Sequence, residues 1–196
     1  MNHWKIGLRH GVYAAMSLVV LGLSACAGNR PLERATYDLR AMSAQEIKAP
    51  SVSVRLELKM APWFDTTDIA YRLKEDPPAR VRTYAESRWA ARAGLLMSER
   101  LQSHLGASAG SVKCVLRVEI AEFSHQFESP QQSRFVLDAR WVVGNAKGER
   151  LISDAKVFSA DAASADAKGG VGAAGNVTNQ LGATLLSAVQ SLAECR

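Results

Sequence analysis

One cysteine near the start of the chain stands in a pattern with a defined chemistry. Leu23-Ser24-Ala25-Cys26 ends an uncharged run that begins at Gly11, and the basic residues Lys5 and Arg9 precede this run. A basic start, an apolar run and small residues in this order are typical of an exported precursor. The four residues resemble a lipobox, in which the cysteine thiol receives diacylglycerol before cleavage frees its amine for a further acyl chain. The alternative is an ordinary signal peptide with a chance cysteine.

Lipidation at Cys26 would decide where the mature protein works. Cleavage before Cys26 removes residues 1–25 as a signal peptide, and residues 26–34 then form a short lipidated tether. Each buried methylene of an acyl chain such as palmitate adds about 0.8 kcal/mol of membrane affinity. Ala27 stands where inner-membrane lipoproteins usually carry aspartate. The sequence therefore predicts a protein held at the periplasmic face of the outer membrane.

The charge of the mature chain argues against a nucleic-acid partner. The full sequence has 24 Lys and Arg against 19 Asp and Glu, and two of the basic residues belong to the signal peptide. The mature protein is therefore weakly basic, and its cations are spread along the chain rather than clustered. Its length suits one compact domain, which we place at residues 35–196.

Two further cysteines, Cys114 and Cys195, would enter a compartment that permits disulfides. A bridge between them requires that their Cα atoms lie within about 7 Å of each other. The sequence leaves open whether they form this disulfide or remain two buried free thiols.

Two glycine-rich segments match catalytic or cofactor motifs only in their letters. Gly106–Gly110 fits the nucleophile-elbow spacing around Ser108, but that motif needs a strand before the serine, and a helix is predicted there. Gly170–Gly175 fits the dinucleotide fingerprint, yet too few residues follow it for the further strand and acidic residue of that motif. We therefore expect no enzyme activity and no cofactor.

The histidines give no sign of a metal site. His104 falls near the end of a predicted helix and His125 in a predicted loop, and neither stands among cysteines or carboxylates with ligand spacing. Trp89 is interpreted as a core anchor. Trp63 and Phe64 are adjacent aromatic residues in a predicted loop, so they are either buried beneath the sheet or exposed for contact with a partner. They are the candidate partner-binding residues.

Alternation of apolar and polar residues predicts seven strands. The clearest runs from Val52 to Leu58, where every second residue is apolar. The two strands on either side of Gly144–Gly148 are predicted to form a β-hairpin. The other predicted strands are Thr36–Leu39, Asp68–Leu73, Val81–Tyr84, Val112–Phe123, Arg134–Val143 and Arg150–Ala160.

Two helices complete the prediction. An amphipathic helix is expected over Ser87–Leu105, with Gly106 as its stop, and a second one along the apolar stripe from Leu181 to Leu192. Residues 161–175 are rich in Ala, Gly and Ser, which predicts a loose linker. The order of elements indicates an α+β domain, with a mixed or mainly antiparallel sheet and two helices packed on one face.

Three segments, together with the lipobox, resemble those of a known protein family. They are Tyr37-Asp38-Leu39, Ile69-Ala70-Tyr71-Arg72, and Tyr84 followed by Ser87-Arg88-Trp89 before a leucine-rich helix. With these segments the chain resembles the ABC-type transport auxiliary lipoprotein family, whose members often accompany proteins of the mammalian-cell-entry type. The resemblance covers most of the mature chain.

This resemblance implies a non-enzymatic, lipid-anchored component of a system that transports lipids or other hydrophobic substrates. A cell-entry-type protein and the ABC transporter subunits would be its partners, and ATP hydrolysis would belong to another subunit. A different class stays open, namely a lipoprotein that assembles or plugs an outer-membrane barrel, or that binds lipopolysaccharide or peptidoglycan.

Overall fold

The long strand β5 lies at the centre of a seven-stranded mixed sheet. The computed structural model describes residues 33–41, 52–106 and 112–195. The strands are β1 Ala35–Tyr37, β2 Val54–Met60, β3 Asp68–Leu73, β4 Arg82–Trp89, β5 Cys114–Ser129, β6 Gln132–Asn145 and β7 Arg150–Asp161. Two helices, α1 Ala93–Leu105 and α2 Ala167–Gln190, complete an α+β domain of the predicted class.

Two parallel strands share one edge of β5. β2 pairs with β5 from Cys114 to Ile120, and β3 pairs with it from His125 to Phe127. A β-bulge that follows Ile120 lies between the two pairings. The loop of residues 61–67 therefore carries the chain from one half of this edge to the other. β6 and β7 continue the sheet on the opposite edge of β5 as antiparallel strands, whereas β4 and β1 extend it beyond β3.

The alternating pattern of β2 sets the buried face of the sheet. The register places Val54 and Leu56 beside Cys114 and Leu116, with all four side chains on one side. The helices cover this side, and their apolar stripes are buried there. The buried helix residues include Leu96, Met97 and Leu101 of α1, and Val177, Leu181 and Leu185 of α2. The predicted β2 strand and the β6–β7 hairpin are confirmed, and β3 and β4 also pair as antiparallel neighbours.

The first helix begins six residues later than the sequence predicts. The predicted helix over Ser87–Leu105 is wrong at its start, because β4 continues to Trp89 and α1 begins at Ala93. Ser87 and Trp89 are buried and Arg88 between them is exposed, which is the period of a strand. Pairing with β1 and a 2.7 Å hydrogen bond from the Trp89 N–H to the Thr67 carbonyl hold this segment extended.

The second helix begins inside the segment that the sequence predicts as a loose linker. Residues 167–175 are helical, and the Asp166 side chain caps the helix by accepting the Gly169 N–H at 2.8 Å. Small residues let α2 approach the sheet closely. A Cβ at Gly170 would lie only 2.4 Å from His125 Nδ1. The linker prediction fails because it treats glycine as a loop residue, whereas here glycine makes the packing sterically feasible.

The segment before β2 also differs slightly from its prediction. The strand that the sequence places at Thr36–Leu39 spans Ala35–Tyr37, and Leu39 starts a short 3₁₀ turn. Leu39 is buried beneath the helices as part of the core. Among the described residues, no helix combines the length and apolarity needed to cross a bilayer.

Candidate docking surface

The paired aromatics of the loop at residues 61–67 have opposite environments. Phe64 is 2% exposed and its ring lies 5.8 Å from the Arg72 guanidinium carbon, whereas Trp63 is 63% exposed. Phe64 is therefore corrected from a candidate partner contact to a core residue, because no partner can reach a ring so fully enclosed. Trp63 remains a candidate contact.

Backbone hydrogen bonds fix the loop that presents Trp63. The Ala61 N–H donates to the Ile120 carbonyl at 2.9 Å, next to the bulge of β5. The Ala61 carbonyl in turn accepts the N–H groups of Phe64 and Asp65, at 2.9 and 3.0 Å. With the loop closed this tightly and Phe64 directed inward, its neighbour Trp63 is left on the outside.

Asp65 fastens the same loop to the start of α1. The helix N-cap, Arg92, makes no side-chain cap, but Asp65 Oδ1 accepts the Gly94 N–H at 3.0 Å. The Arg92 guanidinium also forms an ion pair with the Asp65 carboxylate. A carboxylate here satisfies an unpaired N–H group and faces the positive end of the helix dipole. A Cβ at Gly94 would lie 2.7 Å from Asp65 Oδ1, so a larger residue there would displace the carboxylate.

A cleft of about 520 Å³, here called the α1–β2 cleft, opens between the start of α1 and the end of β2. Its strand wall comprises Leu58, Lys59 and Met60, and its other walls comprise Asp65, Arg92, Gly94, Leu95 and Ser98. Leu95 is 53% exposed. Leu95 in the cleft and Trp63 in the adjoining loop are two of the four large apolar side chains exposed among the described residues.

The α1–β2 cleft is weakly basic. Arg92 is 66% exposed at its side chain even though it pairs with Asp65. Lys59 is exposed, and no ion pair to it occurs within the described part of the chain. An exposed aromatic and a leucine flanked by cations suit a protein partner with an apolar anchor and acidic residues around it.

Cys114 and Cys195 are joined by a disulfide, with their Cα atoms 5.4 Å apart. Both residues are fully buried. The Ser53 N–H donates to the Cys195 carbonyl at 3.1 Å, so the C-terminal 3₁₀ turn at Ala193–Cys195 is tied to the beginning of the β2–β5 pair. The bridge is structural and lies at the opposite end of β2 from the cleft.

His104 belongs to a polar cluster between the two helices. Asn179 Oδ1 accepts hydrogen bonds from Arg100 Nε and Nη2 and from His104 Nε2, at 2.7 to 3.0 Å. Arg100 Nη1 also donates to the Leu39 carbonyl at 2.6 Å. Burial lowers the pKa of His104, and Arg100 adds to this effect against the opposing influence of Asn179. His104 therefore joins α1 and α2 as a neutral residue.

His125 lies in β5, not in the predicted loop, and it is fully buried beneath α2. Its Nδ1 atom is 2.8 Å from the Tyr84 hydroxyl, and its Nε2 atom has no hydrogen-bond partner within the described residues. The rings of Phe127 and Phe135 lie close to it, at 4.5 and 6.3 Å between centroids. Burial lowers the pKa of His125 to about 4, and the Asp166 carboxylate only partly offsets this.

This buried histidine predicts a specific dependence of stability on pH. In the unfolded chain His125 titrates near its ordinary pKa of 6.5, but in the fold it stays neutral to about pH 4. The contribution of His125 to the free energy of unfolding is therefore fully present above pH 6.5. It falls by about 3 kcal/mol as the pH drops toward 4, because the unfolded chain binds a proton at this residue more readily than the folded chain does. His125→Phe should remove this part of the slope in urea unfolding measured across that range. An unchanged slope would show that His125 is not buried as a neutral ring.

No group of three or more His, Cys, Asp or Glu side chains in the described ranges is arranged to hold a metal ion. Of the predicted site residues, Cys26 lies outside the described residues, as does Ser108 of the rejected nucleophile-elbow match. Sequence reasoning missed Asp65, Arg92 and Leu95. The only local signal for them was the position of the loop directly after the clearest strand.

Comparisons with known proteins bear on the fold. No family model and no curated protein matches this chain in sequence. One similar structure is the crystal structure of protein XCC0632 from Xanthomonas campestris, which is described by the family model DUF330. Its sequence is 13% identical to this chain, and the two structures superpose with a TM-score of 0.60 over 68% of this chain and 80% of that one. The crystal structure of an uncharacterized protein is 12% identical with a TM-score of 0.62, over 80% and 99% of the two chains. The chain thus has the α+β fold of these two proteins.

Proposed function

We propose that this protein is a non-enzymatic, lipid-anchored docking subunit of an ABC-type system that transports lipids or other hydrophobic substrates. Acylated Cys26 holds it at the periplasmic face of the outer membrane. Its α1–β2 cleft, together with Trp63, binds a protein of the mammalian-cell-entry type that bridges the periplasm. ATP hydrolysis is carried out by another subunit.

The observation that supports docking most directly is the exposure of Trp63 beside a cleft that contains Leu95. Large aromatic side chains are costly to leave in water and are enriched at the centres of protein interfaces. The loop that carries Trp63 is fixed by backbone bonds and by Asp65, so binding would order few additional groups. The lipobox-like segment and the family resemblance supply the membrane location and the class of partner.

Site-specific photo-crosslinking tests the docking surface. A photoreactive phenylalanine analogue is placed at Trp63 or, as a matched control, at Val112, which is 44% exposed and precedes β5 at the opposite end of the β2–β5 pair. We expect the probe at Trp63, but not that at Val112, to capture the cell-entry-type protein in intact cells. Capture of an outer-membrane barrel, or of peptidoglycan or lipopolysaccharide, would favour the alternative class. No capture from either position would exclude this surface.

Metabolic labelling with a fatty acid tests the anchor separately. Cys26→Ser should abolish incorporation of the label and leave an uncleaved or soluble species. Label and membrane attachment retained by the variant would contradict lipidation at Cys26.

Ser108→Ala serves as the test for catalysis, because complete loss of transport in a stable Ser108→Ala protein would contradict a non-enzymatic role.

A further inference from the structure

The outer edge of the sheet is formed by β7, which is long and exposed. β7 pairs with β6 along one side, and no strand of the described residues pairs with its other side. The five residues from Ser153 to Val157 are all exposed, and Val157 is 60% exposed. An edge of this length presents a row of unpaired backbone groups to any strand that can lie against it.

The hydrogen bonds of β7 show which backbone groups face outward. The Ala162 N–H donates to the Ser133 carbonyl at 2.9 Å, so even-numbered residues of this strand direct their backbone groups toward β6. Odd-numbered residues, Ala155 among them, therefore direct theirs toward solvent. In agreement with this, the Ala155 N–H donates to the side chain of Asp154 at 2.8 Å and not to a strand.

The charges of β7 are self-complementary in one antiparallel register. The outward backbone groups of two β7 strands can form hydrogen bonds only when odd-numbered residues of one copy lie opposite odd-numbered residues of the other. The register in which Ala155 of one copy lies opposite Ala155 of the other meets this condition. It places Asp154 of each copy opposite Lys156 of the other, on the same face of the sheet. Shifting the two-fold axis by one residue would place Asp154 or Lys156 against its own like charge, which is destabilising.

Side chains on both faces fit this register. On the helix-bearing face, Ile152 would lie opposite Phe158 of the second copy, extending an apolar edge. On the open face, the exposed Val157 would lie opposite Ser153 without a steric or charge conflict. The odd-numbered residues Ser153, Ala155 and Val157 would each gain backbone partners, whereas Leu151 lies at the β-bulge near the start of β7.

We propose that β7 is a self-association site, where a second copy of this chain adds its own β7 antiparallel about a two-fold axis through Ala155 to form one continuous sheet. Asp154 then exchanges its bond to the Ala155 N–H for Lys156 of the second copy. The surface lies on the opposite edge of β5 from β2, so it is separate from the proposed docking cleft.

Cysteine crosslinking in membranes of cells that make the full-length protein tests both the contact and its register. Residues opposite each other in such a pair have Cα atoms about 5.5 Å apart, so Ala155→Cys should yield a covalent dimer with a short bifunctional thiol reagent. Val157→Cys is the matched control, since its two copies would lie about 14 Å apart, four residues along the strand. The unsubstituted protein sets the background, because Cys114 and Cys195 are already joined to each other.

Efficient dimer formation by Ala155→Cys, with at least a fivefold lower yield from Val157→Cys, would support the proposal. Equal yields from both, or none from either, would overturn it. Ser153→Cys combined with Val157→Cys provides a second positive variant, should Ala155→Cys reduce the abundance of the protein.

Charge exchange tests the same register independently. In the Ala155→Cys background, Asp154→Lys should lower the crosslinking yield severalfold, because it places two lysines opposite each other. Adding Lys156→Asp should restore the yield by recreating opposite charges at both positions. Failure of the double exchange to restore the yield, in a protein of normal thermal stability, would overturn the proposed register.

Discussion

Removing the Cys114–Cys195 disulfide is expected to lower the free energy of unfolding by roughly 4 to 5 kcal/mol, the value that chain-entropy arguments give for a loop of this size. The two cysteines are 81 residues apart in sequence. The closed loop contains β5, β6, β7 and α2, so the bridge restricts the unfolded chain over half of the domain. Urea unfolding of a Cys114→Ala, Cys195→Ala double variant measures the loss.

Alanine is the suitable replacement because both sites are fully buried, where a serine hydroxyl would need a hydrogen-bond partner. The unsubstituted protein unfolded in the presence of a reductant is the control, and its stability should fall to a similar value. A loss below about 1 kcal/mol in both experiments would show that the bridge does not restrict the unfolded chain as the entropy model requires.

Trp89→Ala is expected to destabilise the domain by roughly 3 to 5 kcal/mol, the cost typical of truncating a large buried aromatic side chain. Trp89 is 2% exposed at the end of β4, and its ring centroid lies 5.9 Å from that of Phe123. Truncation would leave a cavity beside the Phe123 ring. Because β4 holds β1 in the sheet through the Trp89–Tyr37 pair, the first strand should loosen as well.

Trp63→Ala is the matched control for this experiment, since it makes the same chemical change at a side chain that is 63% exposed. It should change the free energy of unfolding by less than about 1 kcal/mol, as is usual for surface substitutions. Equal losses at the two positions would mean that the two tryptophans do not differ in burial as described.

Features that depend on residues close in sequence were predictable from the sequence. The strict alternation in β2, the turn at Gly144–Gly148 between β6 and β7, and the end of α1 at Gly106 all follow from short-range periodicity and turn chemistry. Gly106 has a positive φ of 58°, which explains why a glycine marks this end. The signal peptide and the lipidation of Cys26 rest on the same kind of local pattern and remain predictions.

Contacts between distant residues decided what the sequence could not. Trp89 and Leu96 have the spacing of one helix face, yet pairing with β1 and a bond to Thr67 keep Trp89 in a strand. Phe64 and Trp63 are adjacent and similar in chemistry, yet Phe64 is buried beside Arg72, a residue distant in sequence, whereas Trp63 is exposed.

The start of α2 shows the physical reason most clearly. Each glycine in a helix costs about 1 kcal/mol relative to alanine, so local energetics favours a loop over Ala167–Gly175. In the folded chain the Asp166 cap and close packing over His125 outweigh that cost, because the absence of side chains allows the helix to approach the sheet. The sequence by itself determined the class of fold and its regular strands, whereas tertiary packing alone determined the first half of this helix, the buried histidine beneath it and the cleft lined by Asp65.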